Sequence, residues 1–430
     1  ATVLVTIFAA REIYEMFSPL TALIIVNIAA IAIALSSLKN KLQSRAVVGL
    51  TAALIVPLFV ATPTPNYLGL LSYLTAITIG YVWLIWLKGW RIALAALLAG
   101  ILFYLVPIIG SGVIKHDPAL NMLVLQFSIF FTLLLFSANL AVLMKRRASD
   151  TWNILIGALL GIFSLAWIYQ LVPDYLRGLT AVALSIVFMA GSFAVSKISH
   201  TKNAVIVYAA VSVSLIGAAI TFELSGSAMA ISFILLATSV VVTSTLLDRN
   251  NAELRPIGLL FLVPGFLSVA CMDQSLWTKH IPLSDFAVLS VMTISLLLVA
   301  SIFRQWIFTT EKPAALKWIS SYDIAGLAYG MITIWLINQS LFVDSTGNAI
   351  SLIIFTILGL GFYIAGKIRQ GKIMRTTGVV VLVLVTARLL LVEVWNMPIT
   401  GRIITFAFIG VLFMFTTLFE RGIMKRWEKK

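Results

Sequence analysis

Fifteen stretches of this chain are apolar on every side for close to the length of a membrane crossing. They are residues 19–38, 46–61, 67–87, 92–110, 119–144, 152–172, 175–196, 203–222, 227–247, 256–272, 282–303, 318–342, 347–366, 376–392 and 402–420. A helix needs about 20 apolar residues to cross the hydrocarbon core, whereas a membrane β-strand needs about 10 with alternating polarity. The runs have the length and the all-round apolarity of helices, so a barrel is excluded. Hydrophobic residues make up 61% of the chain and charged residues 11%, against about 25% charged in a soluble domain. An all-α, polytopic membrane protein is the expected fold class. No connecting segment exceeds roughly 15 residues, which leaves no room for a soluble domain between the runs.

Charge orders these runs. The basic clusters follow every second run: Lys39/Lys41/Arg45, Lys88/Arg91, Lys145/Arg146/Arg147, Lys197/Lys202, Arg249/Arg255, Arg304/Lys312/Lys317, Lys367/Arg369/Lys372/Arg375, and Arg421 to Lys430. These loops hold 24 of the 30 lysines and arginines and 7 of the 16 acids, a net +17 that leaves −3 for the other face. Excess Lys and Arg in short loops marks the cytoplasmic side. A multi-pass inner-membrane protein with a cytoplasmic C-terminus follows. The basic charge is spread over short loops and forms no continuous patch, so anionic lipid headgroups are the expected partners and nucleic acid is not. The first apolar run, Ala1–Ala10, is too short to span and has no basic segment before it. It is read as the end of a helix that begins upstream, in a longer protein.

Turn residues break the runs at Thr62–Asn66, Asp117-Pro118, Val172–Asp174 and Asn396–Pro398. Trp86, Trp90, Trp152, Trp277, Trp318, Trp395 and Trp427 stand near run ends, as interfacial belts require. Small residues such as Gly157/Gly161, Gly326/Gly330 and Gly359/Gly361 mark expected close helix contacts. Asn27, Gln126, Asn139, Asn338 and Gln339 are polar groups inside runs, either interhelical glue or the lining of a polar path.

An internal repeat is visible in the landmarks. Tyr208, Glu223 and Gly226 recur 121 residues later as Tyr329, Asp344 and Gly347, and Arg255, Gly258 and Asp273 recur 120 later as Arg375, Gly378 and Glu393. Four-helix units at 204–305 and 325–421 would then be parallel, since each contains an even number of crossings. The expected organisation is N-terminal helices over 1–203, the two units, and a basic tail at 422–430.

Chemistry-bearing groups are sparse. Catalytic candidates are the outer-face acids Glu223, Asp273, Asp344 and Glu393, with the pair His116-Asp117; His280 near Asp285 and the early Glu12 and Glu15 are weaker. Acids and histidines at helix ends are more simply loop residues in water. Cys271 has no neighbouring base, the only three histidines, far apart in the chain, argue against a histidine metal cluster, and no nucleotide-binding glycine motif occurs. No cofactor or metal is expected. Arg388 is the sharpest case because it lies inside a run, about one turn from the outer end. Five residues separate it from Glu393, about 140° of rotation, so the two do not share a helix face. A carboxylate is expected in reach, with Asp344 or Glu393 favoured. Its register counterpart is Ser268. Arg402 is the other outer arginine that could hold structure or a ligand.

Two stretches resemble a large bacterial membrane-protein family known as domain of unknown function 2339. One runs from Pro65-Asn66-Tyr67-Leu68-Gly69 to Trp86-Leu87-Lys88-Gly89-Trp90-Arg91. The other runs from Arg375-Thr376-Thr377-Gly378 through Val392-Glu393-Val394-Trp395 to Gly401-Arg402-Ile403-Ile404 and Gly410. In the second, the family has a Lys near the place of Arg388 and an Asp near Glu393. The resemblance implies a bacterial membrane architecture and no particular chemistry. A non-enzymatic transporter-like or scaffold component is therefore expected, one that handles an envelope lipid or glycan or organises other envelope proteins. The alternative is a lipid-linked glycosyl- or phosphoryl-transferase that uses the outer acids.

Overall fold

The structure, a computed structural model, describes residues 43–59, 66–111, 117–146, 151–198, 202–247, 283–307, 313–342, 344–368 and 372–389, with Gly265 and scattered positions in 21–37 and 399–414. The described residues form twelve helices and no strand: α1 (Gln43–Phe59), α2 (Tyr67–Lys88), α3 (Arg91–Gly110), α4 (Pro118–Arg146), α5 (Thr151–Leu171), α6 (Asp174–Ile198), α7 (Lys202–Glu223), α8 (Gly226–Leu247), α9 (Leu283–Ile307), α10 (Pro313–Leu341), α11 (Asp344–Ile368) and α12 (Lys372–Arg388). Nine of these, α2 to α8 with α10 and α11, are long and apolar enough to cross a membrane. Helices α1 and α12 have 17 residues each, and in α9 the apolar stretch is Phe286–Ile302. The runs at 19–38, 256–272 and 402–420 lie largely or wholly outside the described residues.

Helix boundaries follow local chemistry. The Asn66 side chain accepts from the Gly69 amide at 2.9 Å and caps α2, satisfying a donor that has no partner within the helix. Gly89 ends the same helix at φ 68° and donates to the Ile85 carbonyl, a left-handed C-terminal geometry open to glycine without strain. Lys145, at the end of α4, donates to the carbonyls of Trp86 (3.3 Å) and Leu87. The cation thus sits at the negative end of the α2 dipole. This contact puts Lys88, Arg91 and Lys145 at one end of the bundle.

The chain divides into two compact units, residues 1–223 and 224–430. The boundary falls after the first helix of the 204–305 segment. In the first unit α6 and α7 pair along their length, α5 packs on α3, α4 and α7, and α1 lies against α3. Trp167, Tyr208, Phe131 and Phe188 are its largest fully buried side chains. In the second, α9 packs on α8 and α10, and α11 packs on α10 and α12. Helix α6 turns Leu179, Ile186 and Phe193 outward, two turns apart and 66%, 63% and 61% exposed. In water such a stripe would drive aggregation; against acyl chains it costs nothing.

Without a hydrophobic drive between helices in lipid, contact area comes from small residues. A Cβ on Gly161 would come within 2.7 Å of Val211, one on Gly157 within 3.2 Å of Tyr208, and one on Gly378 within 2.7 Å of the Gly359 carbonyl. Gly326 packs on Leu297 and Gly330 on Thr293. Gly361 differs from its neighbour Gly359, for nothing lies within 4 Å of its Cβ position. Trp86 and Trp152 are exposed near helix ends, but Trp90 is buried at 6% as the residue that leads into α3.

Candidate functional site

Polar side chains in the second unit converge where α10, α11 and α12 end or begin. The α10–α11 turn is short, so Trp335, Asn338 and Gln339, at helical i, i+3 and i+4 positions of α10, face the first turns of α11. Asn348 is the focus. Its Oδ1 accepts from Trp335 Nε1 at 3.1 Å, from Gln339 Nε2 in a short contact, and from Arg388 Nη2 at 3.5 Å. One turn deeper, Asn338 Nδ2 donates to Ser351 Oγ at 3.2 Å, and that hydroxyl donates to the Gly347 carbonyl at 2.8 Å. A Cβ on Gly347 would lie 2.7 Å from the Asn338 carbonyl; only a residue without a side chain lets the two backbones meet there. The Arg388 guanidinium stacks over the Trp335 ring, 5.3 Å from its centroid, a cation–π contact. Arg388 closes α12, whereas Lys372 opens it, so the cluster lies a helix length, about 24 Å, from the basic loop.

The first unit has a deeper polar knot. Asn139 Nδ2 donates to the Asn153 carbonyl (3.1 Å) and to the Tyr208 hydroxyl (2.7 Å), and Asn153 Nδ2 returns a bond to Asn139 Oδ1 at 2.7 Å. All three residues are at least 98% buried. Trp167 Nε1 donates to Thr132 Oγ1 at 3.2 Å nearby on the same helix pair. These bonds join α4, α5 and α7.

The sequence candidates fall in different places. Asp117 accepts from the Ala119 and Leu120 amides at 3.0 and 3.2 Å, which makes it the N-terminal cap of α4. Asp174 pairs with Arg177 at 2.6 Å. Arg177 also donates to the Val172 carbonyl and stacks on Tyr169, whose ring lies along Phe222. Glu223 is exposed at the end of α7 and lies against Gly178. Asp344 is the first residue of α11. His116, Asp273, Glu393 and Arg402 lie outside the described residues, as do Glu12, Glu15, Cys271 and His280. Among the described residues no three His, Cys, Asp or Glu side chains gather as a metal would require.

For Arg388, the described contacts include an amide oxygen, that of Asn348, and an indole face, that of Trp335, while Glu393, one of the two favoured carboxylates, lies outside the described residues. Asn139, Asn338 and Gln339 do bond across helices, while Gln126 is exposed. Sequence reasoning missed Asn153, Trp335, Asn348 and Ser351. Their signal was present: Trp335-x-x-Asn338-Gln339 and Asn348-x-x-Ser351 are spaced to share helix faces across a tight turn.

The chain matches no curated protein and no solved structure. A family described as predicted membrane proteins matches residues 1–271, a span that includes the Asn66–Arg91 stretch and stops short of the one beginning at Arg375. With more than half its length matched, and with helices apolar enough to cross a bilayer, the chain belongs to the predicted membrane protein family DUF2339.

Proposed function

We propose that this protein is a non-catalytic membrane component that holds or passes an envelope lipid or glycan, or organises partners in the bilayer. The observation that carries the reading is the use made of polar groups. Buried amides and hydroxyls pair across helices, and two of the described outer acids have structural partners: Asp117 caps α4 and Asp174 holds Arg177. A transferase needs acids convergent on a cavity. In this reading the chain makes fifteen crossings of a bacterial inner membrane, with the basic loops and C-terminus in the cytoplasm and the units at 204–305 and 325–421 as parallel repeats. Lys145 at the end of α2 supports the common side of the first basic loops. The repeat rests on landmark register alone. Its paired residues do different work, since Tyr208 joins the Asn139 knot while Tyr329 donates to the Gly265 carbonyl.

The test replaces acids by isosteres in cells that depend on the protein: Asp117→Asn, Glu223→Gln, Asp273→Asn, Asp344→Asn and Glu393→Gln. The reading expects each variant to support growth in proportion to its abundance in the membrane. An isostere that accumulates normally yet abolishes function would establish acid–base work and favour the transferase.

A further inference from the structure

Polar groups on α4 and α5 stand in a single file. On α4, Asn121, Ser128, Thr132 and Asn139 follow one another at spacings of 7, 4 and 7 residues, which puts all four within about 40° of one helix face. Asn153, Ser164, Trp167 and Leu171 share a face of α5 in the same way. The two faces meet along their length. Asn121 Nδ2 donates to the Leu171 carbonyl at 3.3 Å, Trp167 Nε1 donates to Thr132 Oγ1 at 3.2 Å, and Asn139 exchanges bonds with Asn153. Pairing 121 with 171 and 139 with 153 in antiparallel register sets Ser128 opposite Ser164, and both serines are fully buried.

Each rung leaves a polar atom unmet. Asn121 Oδ1, Ser128 Oγ and Asn153 Oδ1 are shut off from solvent and have no hydrogen-bond partner within the chain. Turning the amides does not mend this. Asn139 Nδ2 faces the Asn153 carbonyl, which can only accept, so Asn139 Oδ1 takes a proton from Asn153 Nδ2 and Asn153 Oδ1 is left over. The Ser164 hydroxyl donates to the Leu160 carbonyl at 2.6 Å and the Thr132 hydroxyl to the Ser128 carbonyl at 2.8 Å, so neither proton is directed at Ser128 Oγ. Buried oxygens in this position are ordinarily met by ordered water. No residue of the file carries a charge, which makes an ion a poor occupant. Ser128, Asn139 and Ser164 are 0% exposed, too closely packed for an organic molecule.

We propose that the α4–α5 seam binds a file of water molecules, one at each rung, which donate to Asn121 Oδ1, Ser128 Oγ and Asn153 Oδ1 and bridge the two helices. From Asn121 to Asn139 the file runs about 27 Å along α4, close to the hydrocarbon thickness of about 30 Å. Two helices apolar enough to cross a bilayer are thus joined through water over most of their length. The inference stands apart from the non-catalytic reading, because the acid panel touches no residue of the file.

The experiment uses the full chain in lipid nanodiscs, as wild type and as Ser128→Ala, a change small enough to leave the fold intact. A buried hydroxyl with nothing to bond is worse than a methyl, so a dry seam predicts that Ser128→Ala raises the unfolding midpoint. A water-bonded hydroxyl predicts the opposite sign, a lowered midpoint. The second readout is millisecond X-ray radiolysis in ¹⁸O-labelled water, followed by mass spectrometry of the peptides. Trp167 is 1% exposed, so only hydroxyl radicals born from water inside the seam reach it. It is expected to take up ¹⁸O in wild type and to lose most of that label in Ser128→Ala. Tyr175, 78% exposed, is expected to label equally in both and reports the radical dose. An unlabelled Trp167 in wild type, an equal Trp167 label in both proteins, or a midpoint that is unchanged or raised in Ser128→Ala overturns the water file.

Discussion

Asn139 is completely buried in α4, which packs on α2, α3, α5 and α6, and its amide bonds to two neighbouring helices. In hydrocarbon no bulk water replaces a lost partner, so removing this side chain leaves the Asn153 amide and the Tyr208 hydroxyl to find substitutes. Interhelical hydrogen bonds in membranes average about 0.6 kcal/mol and reach about 1.7 kcal/mol, because the separated helices also find partners. With more than one bond at stake, Asn139→Leu should destabilise the protein by about 1–2 kcal/mol in bicelles. A reversible unfolding titration reads this directly, and an unchanged midpoint would show that the knot adds nothing to stability. Asn139 was visible in the sequence as a lone amide in an apolar run. Asn153 was not, because it follows Trp152 near a helix start, where an asparagine ordinarily faces water.

Helix α1 contains Pro57, which has no N–H to give the carbonyl four residues back and whose ring crowds that turn. Two tyrosines from neighbouring helices answer the defect. The Tyr73 hydroxyl donates to the Ala53 carbonyl at 2.8 Å, and the Tyr104 hydroxyl to the Leu54 carbonyl at 2.5 Å. Tyr73→Phe should therefore cost about 1 kcal/mol in the wild-type background and much less after Pro57→Ala, where the helix itself supplies the donor to Ala53. A double-mutant cycle measures that difference; equal costs in both backgrounds would refute the capping role. Glycines offer a second test at this scale. Gly378→Ala drives a methyl towards the Gly359 carbonyl and should part α11 from α12, whereas Gly361→Ala meets open space and should stabilise by about 0.5–1 kcal/mol. Unfolding midpoints that move the same way for both would break this distinction. The runs and their turns were legible because apolarity and breaker residues are local signals. The tyrosine caps were not, since Tyr73 and Tyr104 lie 16 and 47 positions beyond the proline and nothing in a linear reading joins them to it.

Across the whole molecule, the helical membrane architecture could be read from composition and run length, while the site could be read only in fragments. Arg388 stood out because a charge in an apolar run is costly, but its contacts with Asn348 and Trp335 could not be read from the run. Amides carry no charge to attract notice, and their convergence depends on the α10–α11 hairpin bringing two helix faces together. Sidedness is the molecule-scale claim that remains open to direct test. Between Tyr175 and Lys430 the apolar runs allow nine crossings, an odd number that puts these two residues on opposite sides. Tyr175 is 78% exposed at the start of α6, at the acid-bearing end, and Lys430 closes the basic tail. With Cys271 replaced by alanine, Tyr175→Cys should react with an impermeant maleimide in intact spheroplasts. Lys430→Cys should react only after permeabilisation, because short basic loops stay cytoplasmic. Labelling at both positions from outside would mean an even number of crossings. The suspects would then be 256–272, 402–420 and the 17-residue α12, whose Arg388 would sit in a helix that enters the membrane without leaving it.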